Sequence, residues 1–272
     1  MTLSLADVRR LLDEAEVGPK KSLGQNFVVD PNTVRRIARL SRVGSESRVV
    51  EIGAGLGSLT LALIETGAQV TAIETDKALI PILTTLVGDD ARVIHADVRD
   101  LRWDEAVPGH GWDLVANLPY NIATSVVLTV LDEVPSVSRM LVMVQQEAGE
   151  RLAAAAGDSA YGAVSVRVAL RANASIVGIV GPSVFYPRPR VSSALVAIER
   201  IDRSIEMEVE DQLIKLLRVA FNQRRKMLRK SLKGHVDKEA MERANIAPTS
   251  RPEELDLLDW LALARISIST QP

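Results

Sequence analysis

Four residues, Asn117-Leu118-Pro119-Tyr120, close a short apolar run, Asp113-Leu114-Val115-Ala116, and their types suit the holding of a flat, amine-bearing base. An Asn side-chain carbonyl beside a Pro-constrained turn can accept hydrogen bonds from an exocyclic amine. The aromatic ring three residues on can stack on the base that carries the amine. Enzymes that act on adenine or cytosine drawn out of its stack need such a holder. The same residue types also make ordinary turns, so the meaning depends on what surrounds them.

A second constellation precedes it. The run Arg48–Ile52 leads into Glu51-Ile52-Gly53-Ala54-Gly55-Leu56-Gly57, where glycines let the backbone turn sharply and approach a ligand. Such a loop serves NAD, FAD and S-adenosylmethionine alike. Glu74 ends the next β-branched run, at a distance where a carboxylate can accept both hydroxyls of a ribose. Asp97 follows Val93-Ile94-His95-Ala96 and can accept an adenine amino group, and Asn117 ends the fourth run. Polar groups at the carboxyl ends of four successive strands describe one crevice. Hydride transfer needs a proton donor beside the ring that reacts, and among the three histidines only His95 stands near a strand end. Methyl transfer needs no metal and no strong base, and its catalysis is largely alignment. A dehydrogenase stays open as an alternative at this point.

The elements that must position these groups are legible in the periodicity. Strands are predicted at Arg48–Ile52, Gln69–Glu74, Arg92–Ala96, Asp113–Ala116, Met140–Val144, Ile176–Val180 and Ala194–Ile198. Helices are predicted at Ser58–Thr66, Lys77–Val87, Thr124–Leu131, Gln146–Ala156 and Gly162–Ala172. That alternation argues for a parallel sheet covered on both faces. Asp30-Pro31 marks a helix start, and residues 1–18 read as a short amphipathic helix rather than a targeting signal, because acids are interspersed. After Ile201 the character changes. Leu213, Leu217, Phe221, Leu228 and Leu232 fall on one predicted helical face, and Leu255, Leu258 and Leu261 on another. The division expected is a catalytic domain over 1–200 and a small all-helical domain over 201–272, with a linker near 200–207.

Composition narrows the class. The chain has 272 residues, 47% hydrophobic and 25% charged, enough for a full core. No apolar run reaches the roughly 20 residues of a membrane span. The absence of cysteine excludes disulfides, thiolate metal sites and cysteine nucleophiles, and no metal is expected. Net charge is −2, yet residues 215–233 hold eight basic side chains and no acid. Lys20, Lys21, Arg35, Arg36, Arg39 and Arg42 make a second basic cluster. Local stripes of this kind suit a phosphate backbone. A cytoplasmic protein is the expectation.

The chain resembles the bacterial ribosomal RNA adenine dimethyltransferases, which dimethylate two adjacent adenosines near the 3′ end of small-subunit rRNA. The resemblance spans nearly its whole length. It lies in Lys20–Phe27 (KKSLGQNF), Glu51–Gly57, Glu74-Thr75-Asp76, Asn117–Thr124 (NLPYNIAT), Gln146-Glu147 before Glu150-Arg151-Leu152, Tyr161-Gly162, Phe185–Pro189 (FYPRP) and Phe221–Lys226 (FNQRRK). It implies an α/β fold: a Rossmann-like class I methyltransferase with a seven-stranded mixed sheet, plus the helical C-terminal domain. It also implies S-adenosyl-L-methionine as cofactor, with the rRNA of an immature 30S subunit as partner of a monomeric enzyme.

Carried over residue by residue, the resemblance implies that Asn26 and Val28 reach over the cofactor. Gly53 and Gly55 would approach its methionine moiety, Glu74 the ribose and Asp97 the adenine. Asn117 would bridge cofactor and target: its side-chain oxygen and the Leu118 carbonyl would accept the N6 hydrogens of the target adenine, and Tyr120 and Phe185 would stack on either side of it. Arg224, Arg225, Lys226, Arg229, Lys230, Lys20 and Lys21 would contact RNA. Tyr161 and Phe27 read as packing residues. The sequence departs from the family's habit at Ala54 (commonly Pro), Gln146 (commonly basic) and Ser192 (frequently Asp). Two other readings share many of these features: the related large-subunit methylase, and a ribosome-assembly factor that binds without relying on catalysis. The motifs Asn117–Tyr120 and Phe221–Lys226 favour the small-subunit enzyme.

Overall fold

Hydrophobic period and chain reversal assign the strands of the computed structural model, which describes residues 2–269. They are β1 (Phe27–Val28), β2 (Arg48–Ile52), β3 (Gln69–Glu74), β4 (Ala91–His95), β5 (Trp112–Asn117), β6 (Val137–Gln145), β7 (Ala172–Val180), β8 (Phe185–Tyr186) and β9 (Ser193–Arg200). Seven form one sheet in the order β4-β3-β2-β5-β6-β9-β7. The β2–β3, β3–β4, β2–β5 and β5–β6 pairs are parallel, and β9 runs antiparallel to β6. The sheet is therefore mixed, as the resemblance implies. From β2 the chain first builds outward through β3 and β4, then returns to start β5 on the other side of β2. That reversal is a topological switch point, where open α/β sheets bind ligands beyond the carboxyl ends of their strands. It sets the turn after Ile52 beside Asn117.

Helices cover the sheet: α1 (Leu5–Glu14), α2 (Pro31–Leu40), α3 (Ser58–Ile64), α4 (Ile80–Val87), α5 (Trp103–Ala106), α6 (Ala123–Glu133) and α7 (Gln146–Ala153). Asp30 caps α2 by accepting from Thr33 N at 2.8 Å, with Pro31 in the first turn. Ser4 and Asp7 close a reciprocal capping box on α1. At the other end of the sheet, Arg200 donates to Val130 O, Leu131 O and Val134 O and so satisfies the last carbonyls of α6. One face of the sheet buries Val49, Val115, Leu141 and Met143 with Ile37, Leu59 and Leu63. Two strands escape the sequence reading. β1 and β8 form their own antiparallel pair, Phe27 opposite Tyr186 and Val28 opposite Phe185.

Two compact units emerge, the first from Met1–Glu150 and Ala174–Arg200, the second from Arg151–Asn173 and Ile201–Pro272. The second unit contains α8 (Ala163–Arg171), α9 (Met207–Phe221), α10 (Leu228–Ser231), α11 (Lys238–Arg243) and α12 (Leu257–Ser269). Residues 151–173 differ from the sequence reading, which placed them in the first domain. The reason is packing: Tyr161, Val166 and Leu170 are buried with Leu213, Leu217 and Trp260. The predicted continuous face from Leu213 to Leu232 is corrected as well, because α9 ends at Phe221 and the chain turns before α10 begins. Leu258, predicted on one helical face with Leu255 and Leu261, is 68% exposed, while those two are buried. No helix among the described residues is long and apolar enough to cross a membrane.

Candidate active site

The turn after β2 shapes the crevice. Gly53 and Gly55 sit at φ of 72° and 59°, a region that side chains rarely adopt. A Cβ on Gly55 would stand 3.0 Å from Cε1 of Phe27, so only glycine fits against that ring. The amides of Gly53 and Ala54 both donate to Ile73 O, and the Gly55 amide donates to Glu74 Oε2 at 2.7 Å. Glu74 Oε1 accepts from the Asp76 amide, also at 2.7 Å. The sequence-predicted ribose acceptor is thus oriented by two backbone donors, each oxygen keeping a further lone pair for a ligand.

Buried carboxyls line this wall. Burial raises the Glu74 carboxyl above its ordinary value despite its backbone donors. Glu51, 2% exposed, is pushed up to about 8, chiefly by burial and further by the nearby Glu74, while the hydroxyl of Thr60 at 2.6 Å opposes the rise. In the sequence Glu51 stands out only as part of the Gly-rich motif. Its signal was an acid on the last residues of an otherwise apolar strand.

Asp97 lies farther along, in an adjoining cavity with Ser22, Val98, Arg99 and Asn121. Arg99 grips both of its oxygens, Nε to Oδ1 at 3.0 Å and Nη2 to Oδ2 at 2.6 Å. Those hydrogen bonds hold the Asp97 carboxyl down at about 2. It is ionised over the whole neutral range and ready to accept, though its acceptor sites are shared with the guanidinium.

The structure brings Asn26, Phe27, Val28, Gly53, Gly55, Glu74, Asn117, Leu118 and Tyr120 to the lining of one crevice. Asn117 Nδ2 donates to Asn26 O at 3.0 Å, which leaves Oδ1 as its acceptor. The Leu118 amide donates to Met143 O, fixing the turn that follows β5. Tyr120 is half-buried, and its hydroxyl meets Oγ of the fully buried Ser193 at 2.7 Å. Burial raises the Tyr120 phenol above its ordinary value.

Phe185 is not brought to this lining. It is 3% exposed and packs in the sheet core with Val34 and Ile37, because the β1–β8 register turns it inward behind Val28. Phe27, expected as a packing residue, is 7% exposed among Leu3, Val8 and Leu56, and its ring also borders the crevice.

The predicted RNA contacts separate into engaged and free cations. Lys20 Nζ is paired with the buried Asp76 at 2.6 Å. Arg224 donates to Glu253 at 2.5 Å and to Ser159 O at 2.7 Å, ties within the second unit. Both side chains, expected to contact RNA, have an internal acid as neighbour. Lys21, Arg225, Lys226, Arg229 and Lys230 are exposed and have no ion-pair partner among the described residues. Gln146 is half-buried and donates to Glu150 one turn on, and Ser192 supplies a carbonyl to the Gln146 amide.

A seven-stranded mixed sheet with a Gly-rich turn and acidic strand ends at its switch point defines a Rossmann-like class I methyltransferase. The chain belongs to the ribosomal RNA adenine dimethylase family, which it matches over residues 18–268. It is 41% identical over 283 residues to the ribosomal RNA small subunit methyltransferase A of Bifidobacterium adolescentis, covering 97% of this chain and 93% of that one. It is 43% identical over 274 residues to the protein of the same name from Thermobifida fusca, covering 96% and 95%. The fold is similar to the crystal structure of a dimethyladenosine transferase from Plasmodium falciparum, with a TM-score of 0.75 at 24% identity over 87% of this chain and 95% of that one.

Proposed function

We propose that this protein transfers methyl groups from S-adenosyl-L-methionine to N6 of two adjacent adenosines in the 3′-terminal hairpin of small-subunit rRNA, during assembly of the 30S subunit. The observation that carries this reading is Asn117, tied through its amide to Asn26 O at 3.0 Å and left with one acceptor oxygen in the crevice. The residues present fit the cofactor. Gly53 and Gly55, held at positive φ, bring their backbone to the crevice lining, Glu74 offers lone pairs to a ribose, and Asp97 offers an ionised acceptor to an adenine amine.

When bound, the cofactor supplies a methyl group on a sulfonium, an electrophile that needs no metal or strong base. Asn117 Oδ1 and the Leu118 carbonyl accept the two N6 hydrogens of the extruded adenine. The lone pair of that amine is delocalised into the ring and is a poor nucleophile. Acceptors that pull its hydrogens toward tetrahedral geometry localise the pair, an interaction stronger in the transition state than in the ground state. Tyr120 stacks on the base, worth on the order of 1–3 kcal/mol. Ser193 holds the Tyr120 hydroxyl at 2.7 Å, and the proton leaves to water.

The second unit holds the RNA backbone through Arg225, Lys226, Arg229 and Lys230, with Lys21 contributing from the first. The enzyme works as a monomer in the cytoplasm. The test is to offer unmodified small and large ribosomal subunits with labelled cofactor. Label in dimethyladenosine of the small-subunit RNA alone supports the reading. Label in the large-subunit RNA, or none in either, overturns it.

A further inference from the structure

The Lys20 side chain read from sequence as an RNA contact has a different neighbour, and its surroundings form a connected set. Asp76 is 3% exposed, and both its oxygens are taken by the segment that lies over the crevice. Lys20 Nζ reaches Oδ1 at 2.6 Å and Gln25 Nε2 reaches Oδ2 at 2.9 Å. Gln25 Oε1 in turn accepts from the Lys20 amide at 2.7 Å, so the two donors brace each other. On its other side the Asp76 amide donates to Glu74 Oε1, and Glu74 Oε2 accepts from Gly55 N. Next to Gln25 stands Asn26, whose carbonyl accepts from Asn117 Nδ2. One continuous path therefore runs from the Gly-rich turn through Glu74, Asp76, Gln25 and Asn26 to Asn117.

We infer that Asp76 is a positioning residue for methyl transfer: by clasping Lys20 and Gln25 it holds the Asn26 carbonyl against Asn117 and the 23–28 segment over the crevice. The inference rests on the function proposed above. A buried carboxylate with a cation and an amide on its two oxygens is a strong local tie. Burial by itself would raise the Asp76 carboxyl, but the donors from Lys20, Gln25 and Ala78 together bring it below its ordinary value, so the clasp is ionised at neutral pH. Without it, Asn117 loses the acceptor that selects its amide orientation. The adjoining cavities measure only about 70 and 160 Å³ and share Leu23, so the same segment also bounds the space a donor occupies.

The full chain is tested as Asp76→Asn, Lys20→Met and the double variant, with donor affinity read by calorimetry and kcat and KM read on unmodified small subunits. Loss of a charge-assisted hydrogen bond predicts donor binding weaker by about tenfold and a lower kcat in each single variant. KM for the subunit and its salt dependence should not move. The double variant should be no worse than the more impaired single one, because both remove one interaction. If Lys20→Met leaves donor affinity intact, and raises the subunit KM with a shallower salt slope, Lys20 is a phosphate contact and the inference is overturned. Should Asp76→Asn fail to fold, Gln25→Ala and Lys20→Met, each removing a separate bond to Asp76, should each weaken donor binding with the subunit KM unmoved, and intact donor affinity in both overturns the inference. Failure of the unaltered protein to bind donor would instead overturn the cofactor assignment itself, so the two failures are distinguishable.

Discussion

Replacing Gly55 by Ala isolates how the Gly-rich turn is held against the segment that crosses it. The residue sits at φ of 59°, where a Cβ costs roughly 1–2 kcal/mol in backbone strain. The added Cβ would stand 3.0 Å from Cε1 and 3.1 Å from Cδ1 of Phe27. Overpacking of this kind costs about 1–3 kcal/mol, since Phe27 is 7% exposed and pinned opposite Tyr186. The two effects together predict a melting temperature lower by roughly 5–10 °C. They also predict weaker donor binding, because Gly55 N must shift from Glu74 Oε2, now at 2.7 Å. The decisive assay repeats the change in a Phe27→Leu background, with thermal melts and calorimetry on all four proteins. There only the backbone part, roughly 1–2 kcal/mol, should remain. An equal loss in both backgrounds would refute the ring contact as the reason for glycine.

Four further outcomes follow from the structure. Ser193→Ala removes the 2.7 Å partner of the Tyr120 hydroxyl, which should cost about 1 kcal/mol in stability and lower kcat/KM for RNA; Tyr120→Phe should do the same, and the pair together no more. Glu51→Gln mimics the protonated carboxyl. A folded value of about 8 against an ordinary 4.5 means that stability present below pH 4.5 is lost as pH rises through about 8. Melting profiles should therefore fall over that range for the natural protein and flatten for Glu51→Gln. Arg225→Ala with Lys226→Ala should reduce the salt slope of subunit binding by up to about 2 without lowering the melting temperature. Arg224→Ala should destabilise the second unit through loss of its ties to Glu253 and Ser159.

How far the sequence carries is clearest at particular residues. The runs ending at Ile52, Glu74 and Asn117 are legible because an apolar period gives way to glycine, to acid or to Asn and Pro at each strand end, and the structure ends β2, β3 and β5 there. β1 and β8 are not, since two-residue strands have no period and their pairing joins residues far apart in the chain. Charge sign is legible but charge partnership is not. Lys20 and Arg224 belong to basic runs, yet each pairs with an acid from a distant element, Asp76 and Glu253. The place of Phe185 is hidden for a similar reason: which ring faces the crevice is set by strand register, a tertiary fact. In the second unit, helical spacing found Leu213 and Leu217 but ran on through residues 222–227, where no apolar anchor interrupts the polar sequence until Met227.

The account turns on the acceptor geometry at Asn117, so the most direct measurement is single-turnover methylation of unmodified small subunits by Asn117→Ala. Donor and subunit affinities are measured alongside. The rate should fall by on the order of 100-fold or more, with both affinities within a few-fold of the natural protein. A near-normal rate of N6-dimethyladenosine formation by that variant would contradict the assignment.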